Sequence, residues 1–465
     1  MFFSNYLSKN YISLDDVLKL RDNRVLFINE LLNQWQKTII VFSLNMIGPI
    51  KVFNLSIDTF FEGVNLIKEK LDSENISIEF EKINKDSCGY EGYFVVSKNS
   101  YYIKKLLSNI ENNITIGRLF DIDVINEDGV KVSREDINLD RRKCIICDNP
   151  VFLCSRSRKH NLDELVNKEI DIMLDYFSNK ISFEIAEIAE KSLILELKTT
   201  PKPGLVDLNN NGSHKDLNAN LFIESANTLK PYFREFFLFG YNNSDVEIDL
   251  LFESIRKIGI NAEKAMFITT NNINTHKGAI FIYSIVLSSL GWLYKNQNYS
   301  RSALKKTITE LSKNILGDYN KSFEDDTCLT NGEKLYKKYG ILGIRGEAQK
   351  GFSSVLDKAL LDFENLIKKG FSLNLSGVVT LLNLLLLIED TNIISRSNLK
   401  VFENVREKVR ENINQIENLD YIYQLDKEFI DLNISAGGCA DLLALTYFIH
   451  FFEEALSKNF NLINS

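Results

Sequence analysis

The sequence predicts two domains, an α/β or α+β domain over residues 1–177 and a large all-α domain over residues 178–465. Short β-branched and aromatic runs alternate with helical periodicity only in the first third of the chain. Beyond about Leu162, strand signals almost vanish. A length of 465 residues, at roughly 150 residues per domain, leaves room for both.

The elements follow in order. Residues 14–37 carry apolar side chains at Val17, Leu20, Val25, Phe27, Ile28, Leu31 and Leu32, the spacing of an amphipathic helix. Residues 38–45 read as a strand ending before Gly48-Pro49. Residues 76–80, 93–96 and 119–125 read as further strands, with helices at 59–71 and 101–110 between them. A weak linker signal at Ser178-Asn179-Lys180 marks the expected boundary. After it, helices are predicted over 182–197, 214–239, 246–271, 278–294, 302–316, 347–369, 376–388, 398–417 and 438–458, and over 162–177 just before it. No repeat of 20–50 residues is evident, which argues against a solenoid.

Composition excludes several classes. Lys+Arg is 55 and Asp+Glu 63, giving −8, with 45% apolar residues. That is an ordinary globular chain with no global pointer to nucleic acid. Gly 22, Pro 5 and Cys 6 exclude collagen-like, disordered and disulfide-scaffold proteins. The uncharged run 278–294 and the shorter 378–388 are expected to be buried helices rather than membrane spans. No targeting segment is visible at the N-terminus, and cysteines without one imply reduced thiols and a cytoplasmic protein.

The long polar connection 198–216 holds two of the five prolines. Loops of that length in a compact helical domain are usually functional or disordered. Segments 271–278 (NNINTHKG), 339–347 (YGILGIRGE) and 433–441 (NISAGGCAD) each place small or charged residues before an apolar helix. Backbone N–H groups and the positive dipole end at such starts favour phosphate. Four such loops are expected to converge on one polyanion.

In the first domain GRLFDIDV at 117–124 is the sharpest motif. In a strand, Asp121 and Asp123 share one face while Phe120, Ile122 and Val124 bury the other. Two such carboxylates can hold Mg²⁺, though a bare D-x-D is more commonly a strand with a wet acidic face. Downstream, Cys144, Cys147, Cys154 and His160 have the spacing C-x2-C-x6-C-x5-H. Three thiolates and an imidazole make a zinc site. Small buried free thiols are the commoner explanation and the one preferred. Between Arg134 and His160 stand seven Arg/Lys against four Asp/Glu, suited to phosphate or to a solvated face.

These residues, with LNMIGPIK at 44–51 and GYEGYFVV at 89–96, resemble the apo-citrate lyase phosphoribosyl-dephospho-CoA transferase family over roughly residues 10–175. The resemblance implies a nucleotidyltransferase-like domain that loads a prosthetic group onto a serine of the apo acyl carrier (gamma) subunit and releases diphosphate. It implies Asp121 and Asp123 as metal ligands and Gly117, Arg118, Arg156 and Arg158 on the substrate. PKPGLVD (201–207), NGSHKD (211–216), NTHKGAIF (274–281), YGILGIRGEAQKGF (339–352) and SAGGCADLLALT (435–446) are similar to the triphosphoribosyl-dephospho-CoA synthase family. That family joins ATP to 3′-dephospho-CoA and expels adenine. Two departures are Ser435-Ala436-Gly437-Gly438, where the family commonly has Ser-Pro-Gly-Gly, and Arg396-Ser397-Asn398, where it often has Arg-Gly-Gly.

His276 and Glu347 are the candidate catalytic bases, the former in a polar loop where a core role is not expected. Asp207, His214, Asp216, Lys277, Arg345, Gly346, Gly437 and Gly438 are candidate substrate-binding residues, and Asp441 a candidate Mg²⁺ ligand. Ser213-x-x-Asp216 also fits a capping box. An oxocarbenium-like ribosyl transfer needs a base for the incoming hydroxyl and an acid for the leaving group. Competing readings are a helical binding protein, a metal-dependent nucleoside hydrolase or phosphohydrolase, and the equivalent enzyme pair for malonate decarboxylase. No nucleic-acid or membrane partner is expected.

Overall fold

The computed structural model describes residues 11–147, 149–296, 299–320 and 329–464. The chain forms two compact units that meet in sequence at Phe177 and Ser178.

In the N-terminal unit, helix α1 (Leu14–Trp35) precedes strand β1 (Thr38–Leu44) and helix α2 (Asn54–Ser73). Strands β2 (Ile78–Asp86) and β3 (Gly89–Val96), helix α3 (Ser100–Asn113) and strands β4 (Phe120–Ile125) and β5 (Lys131–Val132) follow. The sheet order is β2-β3-β1-β4-β5, and every neighbouring pair is antiparallel. That settles the α/β or α+β alternative as α+β. Alternation decides which side chains go where. Phe42 and Phe120 bury on one face with Phe60 of α2. Val41, Tyr93, Val95 and Ile125 bury on the other against Leu31 of α1. Asp121 and Asp123 lie on this second face, since Asp121 pairs with Ser43 and Asp123 with Val41.

The rest is helical. Helix α4 (Val151–Ser157) is short, and α5 (Leu162–Lys198) is a single helix of 37 residues. The expected linker at 178–180 is therefore helix interior. Ser178, Asn179 and Lys180 are poor helix breakers, and their composition alone does not end a helix flanked by strong apolar periodicity.

The remaining helices are α6 (Ala219–Asn242), α7 (Phe252–Thr269), α8 (Lys277–Lys295), α9 (Arg301–Leu311), α10 (Asn331–Tyr339) and α11 (Gly343–Gln349). They continue with α12 (Leu360–Lys368), α13 (Leu373–Leu387), α14 (Thr391–Arg396), α15 (Leu399–Glu411), α16 (Leu419–Asp431) and α17 (Gly437–Asn464). Helix α8 is long and apolar enough to cross a membrane, but 78% of its apolar window is buried inside the bundle. It crosses α6 at two glycines, where a side chain on Gly240 would strike Ser288 O and one on Gly291 would strike Phe237 O.

Three expectations shift. The helix expected at 214–239 begins at Ala219, capped by Asn218 accepting from the Leu221 N–H at 3.1 Å. The Ser213 hydroxyl instead donates to Phe429 O and Ile434 O, so no capping box forms with Asp216. The helix expected over 347–369 is broken where Gly351 and Phe352 both take positive φ.

Candidate active sites

In the N-terminal unit a cleft of about 210 Å³ opens beside β4. Arg21 and Arg24 of α1, Ser43 at the end of β1, Lys51, Glu91 of β3 and Asp121 line it. Glu91, 2% exposed, accepts from Arg24 Nε at 2.6 Å and from the Tyr93 hydroxyl at 2.5 Å. The 45–51 loop is fastened by Glu169 of α5, whose carboxylate accepts the Ile47 N–H at 2.9 Å. Burial pushes Glu169 up to about 7, and burial lowers the Lys51 ammonium. Asp123, two residues along the strand, pairs with Lys131 Nζ at 2.6 Å. The cleft thus gathers cations around one outward carboxylate.

The predicted phosphate arginines are placed differently. Arg118 donates to the carbonyls of Lys143 and Cys144, each at 3.0 Å, so it fastens a loop. Gly117 is buried, and a Cβ there would lie 2.2 Å from Ile110 O, so packing against α3 already demands glycine. Arg156 and Arg158 are exposed on and just after α4. Of the basic run, Arg142 donates to Phe120 O at 2.6 Å and pairs with Glu111. Arg134 also pairs with Glu111, at 2.9 Å. These two cations are structural.

In the helical unit the 339–347 and 433–441 loops meet beside Thr391 and its neighbour Asp390. The Asp390 carboxylate accepts from Asn392 N–H at 2.9 Å, Ile393 N–H at 3.2 Å and Cys439 N–H at 2.9 Å. Gly438 leaves room for this carboxylate, and Gly437 for Asn392. Thr391 abuts Gly343 at the start of α11. Asp441 lies under the start of α8, its Oδ2 where a Cβ of Gly278 would be, and accepts the Ala279 N–H. Burial first, then the nearby Glu196 and Asp390, push the Asp441 carboxyl well up. Among the described residues no three acidic groups close on one point. A cation at Asp441 would need ligand oxygens from substrate, which Mg²⁺ ordinarily accepts.

His276 is 3% exposed, so this loop position is buried although the sequence gives it no core role. Its Nδ1 meets Ser225 Oγ at 2.7 Å, while its buried Nε2 has no partner. Burial, then the charge of Lys202, hold it down at about 3, so the ring is neutral. Lys202, 1% exposed, pairs with Glu196. Glu347 likewise has a buried, unpartnered Oε2.

His214 Nε2 lies 3.0 Å from Ser435 Oγ, and Arg396 donates to its Nδ1 at 3.2 Å. Arg396 also donates to Ser213 O and Asn433 O, so one guanidinium ties the 211–216, 396–398 and 433–441 segments together. At the two positions where the family often has glycine, Ser397 and Asn398 keep negative φ, and Asn398 caps α15.

Asp207 is consumed by its own loop, accepting from Thr200 Oγ1 at 2.6 Å and from the N–H groups of Asn209 and Asn210 at 2.7 and 3.0 Å. Lys277 pairs with Glu263 at 3.0 Å, Asp216 is exposed, and Arg345 and Gly346 lie within α11. Lys202, Glu196 and Asp390, which the sequence reading did not single out, lie in the same buried cluster as His276 and Asp441. Lys202 was detectable, standing between the two prolines of the polar connection.

A family profile described as ATP:dephospho-CoA triphosphoribosyl transferase (CitG) matches residues 182–460. One described as apo-citrate lyase phosphoribosyl-dephospho-CoA transferase (CitX) matches residues 12–176. The chain belongs to the fused CitX–CitG family. Protein CitXG of Haemophilus influenzae is 32% identical over 96% of this chain and 98% of its own length. Protein CitXG of Leuconostoc mesenteroides is 30% identical over 94% and 97%. The 2-(5''-triphosphoribosyl)-3'-dephosphocoenzyme-A synthase of Haemophilus ducreyi is 34% identical over 65% of this chain and 98% of its own length. The CitX–CitG chain is a bifunctional transferase of citrate lyase prosthetic-group biosynthesis.

Proposed function

We propose that the helical unit joins ATP to 3′-dephospho-CoA with release of adenine, at the loops around Asp390 and His276. The N-terminal unit then loads that product onto a serine of the apo acyl carrier subunit of citrate lyase, with release of diphosphate. The observation that carries this is the convergence of the loops on a buried polar cluster in which His276 Nε2 has no partner.

The Thr275 hydroxyl donates to Ser225, which leaves the Ser225 proton for His276 Nδ1. The ring proton then sits on Nε2, making His276 a neutral donor toward substrate. A group held at about 3 takes up protons poorly at neutral pH, so Glu347 is the better base for the attacking ribose hydroxyl. Arg345, Lys277 and Lys202 supply cations for a triphosphate, and a single in-line displacement is the simplest route.

In the N-terminal unit Asp121, with Asp123 on the same strand face, is suited to hold Mg²⁺, as is Asp441 in the helical unit. Such an ion, when bound, would offset charge on phosphates as they leave. Arg21, Arg24 and Lys51 would hold the phosphates. The enzyme is proposed to be cytoplasmic.

The test is incubation with ATP, Mg²⁺ and 3′-dephospho-CoA, with products weighed by mass spectrometry. Adenine release that depends on 3′-dephospho-CoA, with a matching CoA adduct, is expected. Equal release without the CoA compound would indicate a hydrolase. Offering carriers from citrate lyase and malonate decarboxylase in parallel decides the acceptor.

A further inference from the structure

We propose that Cys144, Cys147, Cys154 and His160 form a structural zinc site that holds the 141–160 segment in shape. The sequence reading preferred ordinary buried thiols, but the folded chain brings all four side chains together. One ligand atom from each lies within 4.8 Å of the others. Cys147 Sγ is 3.4 Å from Cys154 Sγ and 3.3 Å from His160 Nε2. A tetrahedron with Zn–S of about 2.3 Å and Zn–N of about 2.0 Å has edges of about 3.8 Å between sulfurs and 3.5 Å between sulfur and nitrogen. The two edges at Cys147 are within about 0.4 Å of those lengths, and a small contraction of the remaining edges, none above 4.8 Å, closes the site.

The surroundings agree. Backbone N–H groups of Ile146 and Cys147 are directed at Cys144 Sγ, the bonds a metal-bound thiolate accepts from the turn that follows it. Three thiolates, one neutral imidazole and Zn²⁺ sum to one negative charge, and Lys159 Nζ stands 3.8 Å from Cys147 Sγ to balance it. Thiolates and imidazole select zinc over magnesium. Four protein ligands leave no open position, so the role is structural.

The segment needs such a clamp. Ile146, Phe152 and Leu153 are exposed, so apolar burial does little to hold it. Its backbone closes through Cys144 N–H to Asn149 O at 2.8 Å and Val151 N–H to Arg142 O at 3.0 Å. Arg118 grips the same turn at the carbonyls of Lys143 and Cys144, three residues before Asp121. The zinc would therefore brace the approach to the candidate carboxylate pair, a role independent of the proposed function.

The experiment is metal analysis of the full chain purified without chelator or immobilised metal, alongside Cys147→Ser and His160→Ala. About one equivalent of zinc is expected in the parent and a several-fold loss in each variant. Cobalt exchanged into the parent should show thiolate-to-metal charge-transfer bands and the intense visible bands of a tetrahedral ion. Chelator-treated parent should become susceptible to protease between residues 140 and 160, and added zinc should restore resistance. If the variants do not fold, the zinc content and cobalt spectrum of the parent decide alone. A parent with free thiols and no zinc, or with a Cys147–Cys154 disulfide by mass, would overturn the proposal.

Discussion

At the scale of single residues, the helical site depends on charges kept from water. Lys202 and Glu196 form a buried pair, and removing one partner of such a pair typically costs about 3–5 kcal/mol. Lys202→Met should therefore lower stability sharply. Adding Glu196→Gln should recover most of it, and adenine release should stay lost in both. Denaturant melts beside adenine assays separate these effects; a double variant with normal adenine release would remove Lys202 from the site. His276 gives a pH dependence with a definite sign. Its folded value of about 3 lies below the ordinary 6.5, so between those values the unfolded chain binds more protons. The stability is fully present above pH 6.5 and is lost as pH falls toward 3, by up to about 1.4 kcal/mol per unit. The chain has two tryptophans, Trp35 and Trp292, so Trp35→Phe leaves a probe of the helical unit alone. In that background His276→Gln should flatten the acid slope between pH 7 and 5; an unchanged slope would assign it to other groups.

At the scale of elements, much of the architecture was legible because periodicity reports burial. The spacing of residues 14–37 gave helix α1 (Leu14–Trp35), and the run 38–45 gave strand β1 (Thr38–Leu44). The break in the helix expected at 347–369 was hidden, since Gly351 and Phe352 leave the helical region within an apolar pattern that continues through them. Helix α10, Asn331–Tyr339, was missed because its surface is nearly all polar. The loops that build the site were legible as polar interruptions. Glu196 was not, because a charged residue within a helix reads as a wet position until its neighbours are known. The α6–α8 crossing offers a direct test. Gly291→Ala would push a methyl into the Phe237 carbonyl, and overpacking of this kind costs about 1–3 kcal/mol. The midpoint of chemical denaturation should fall accordingly, whereas the same change at Gly259, with nothing within 4 Å, should be neutral or mildly stabilising.

At the scale of the whole molecule, two chemistries on one chain should be separable. Asp121→Asn keeps the side-chain shape at the cleft but removes its charge, so carrier loading should fall by orders of magnitude. Adenine release should continue, because no residue proposed for the helical site lies in the sheet. The triphosphoribosyl adduct should then accumulate, visible by mass spectrometry, while the carrier mass stays unchanged. Normal loading by the variant would refute the assignment; loss of both activities in a folded protein would favour one composite site. Helix α8 has a further consequence, set by the order of synthesis. The Tyr283 hydroxyl of α8 donates to Ala444 O at 3.1 Å, and its ring meets Phe448, both on α17. The ribosome makes α17 long after α8, at about 5–20 residues per second. For those seconds the face of this apolar helix that α17 will cover stays bare, which makes the nascent chain a natural client for a chaperone.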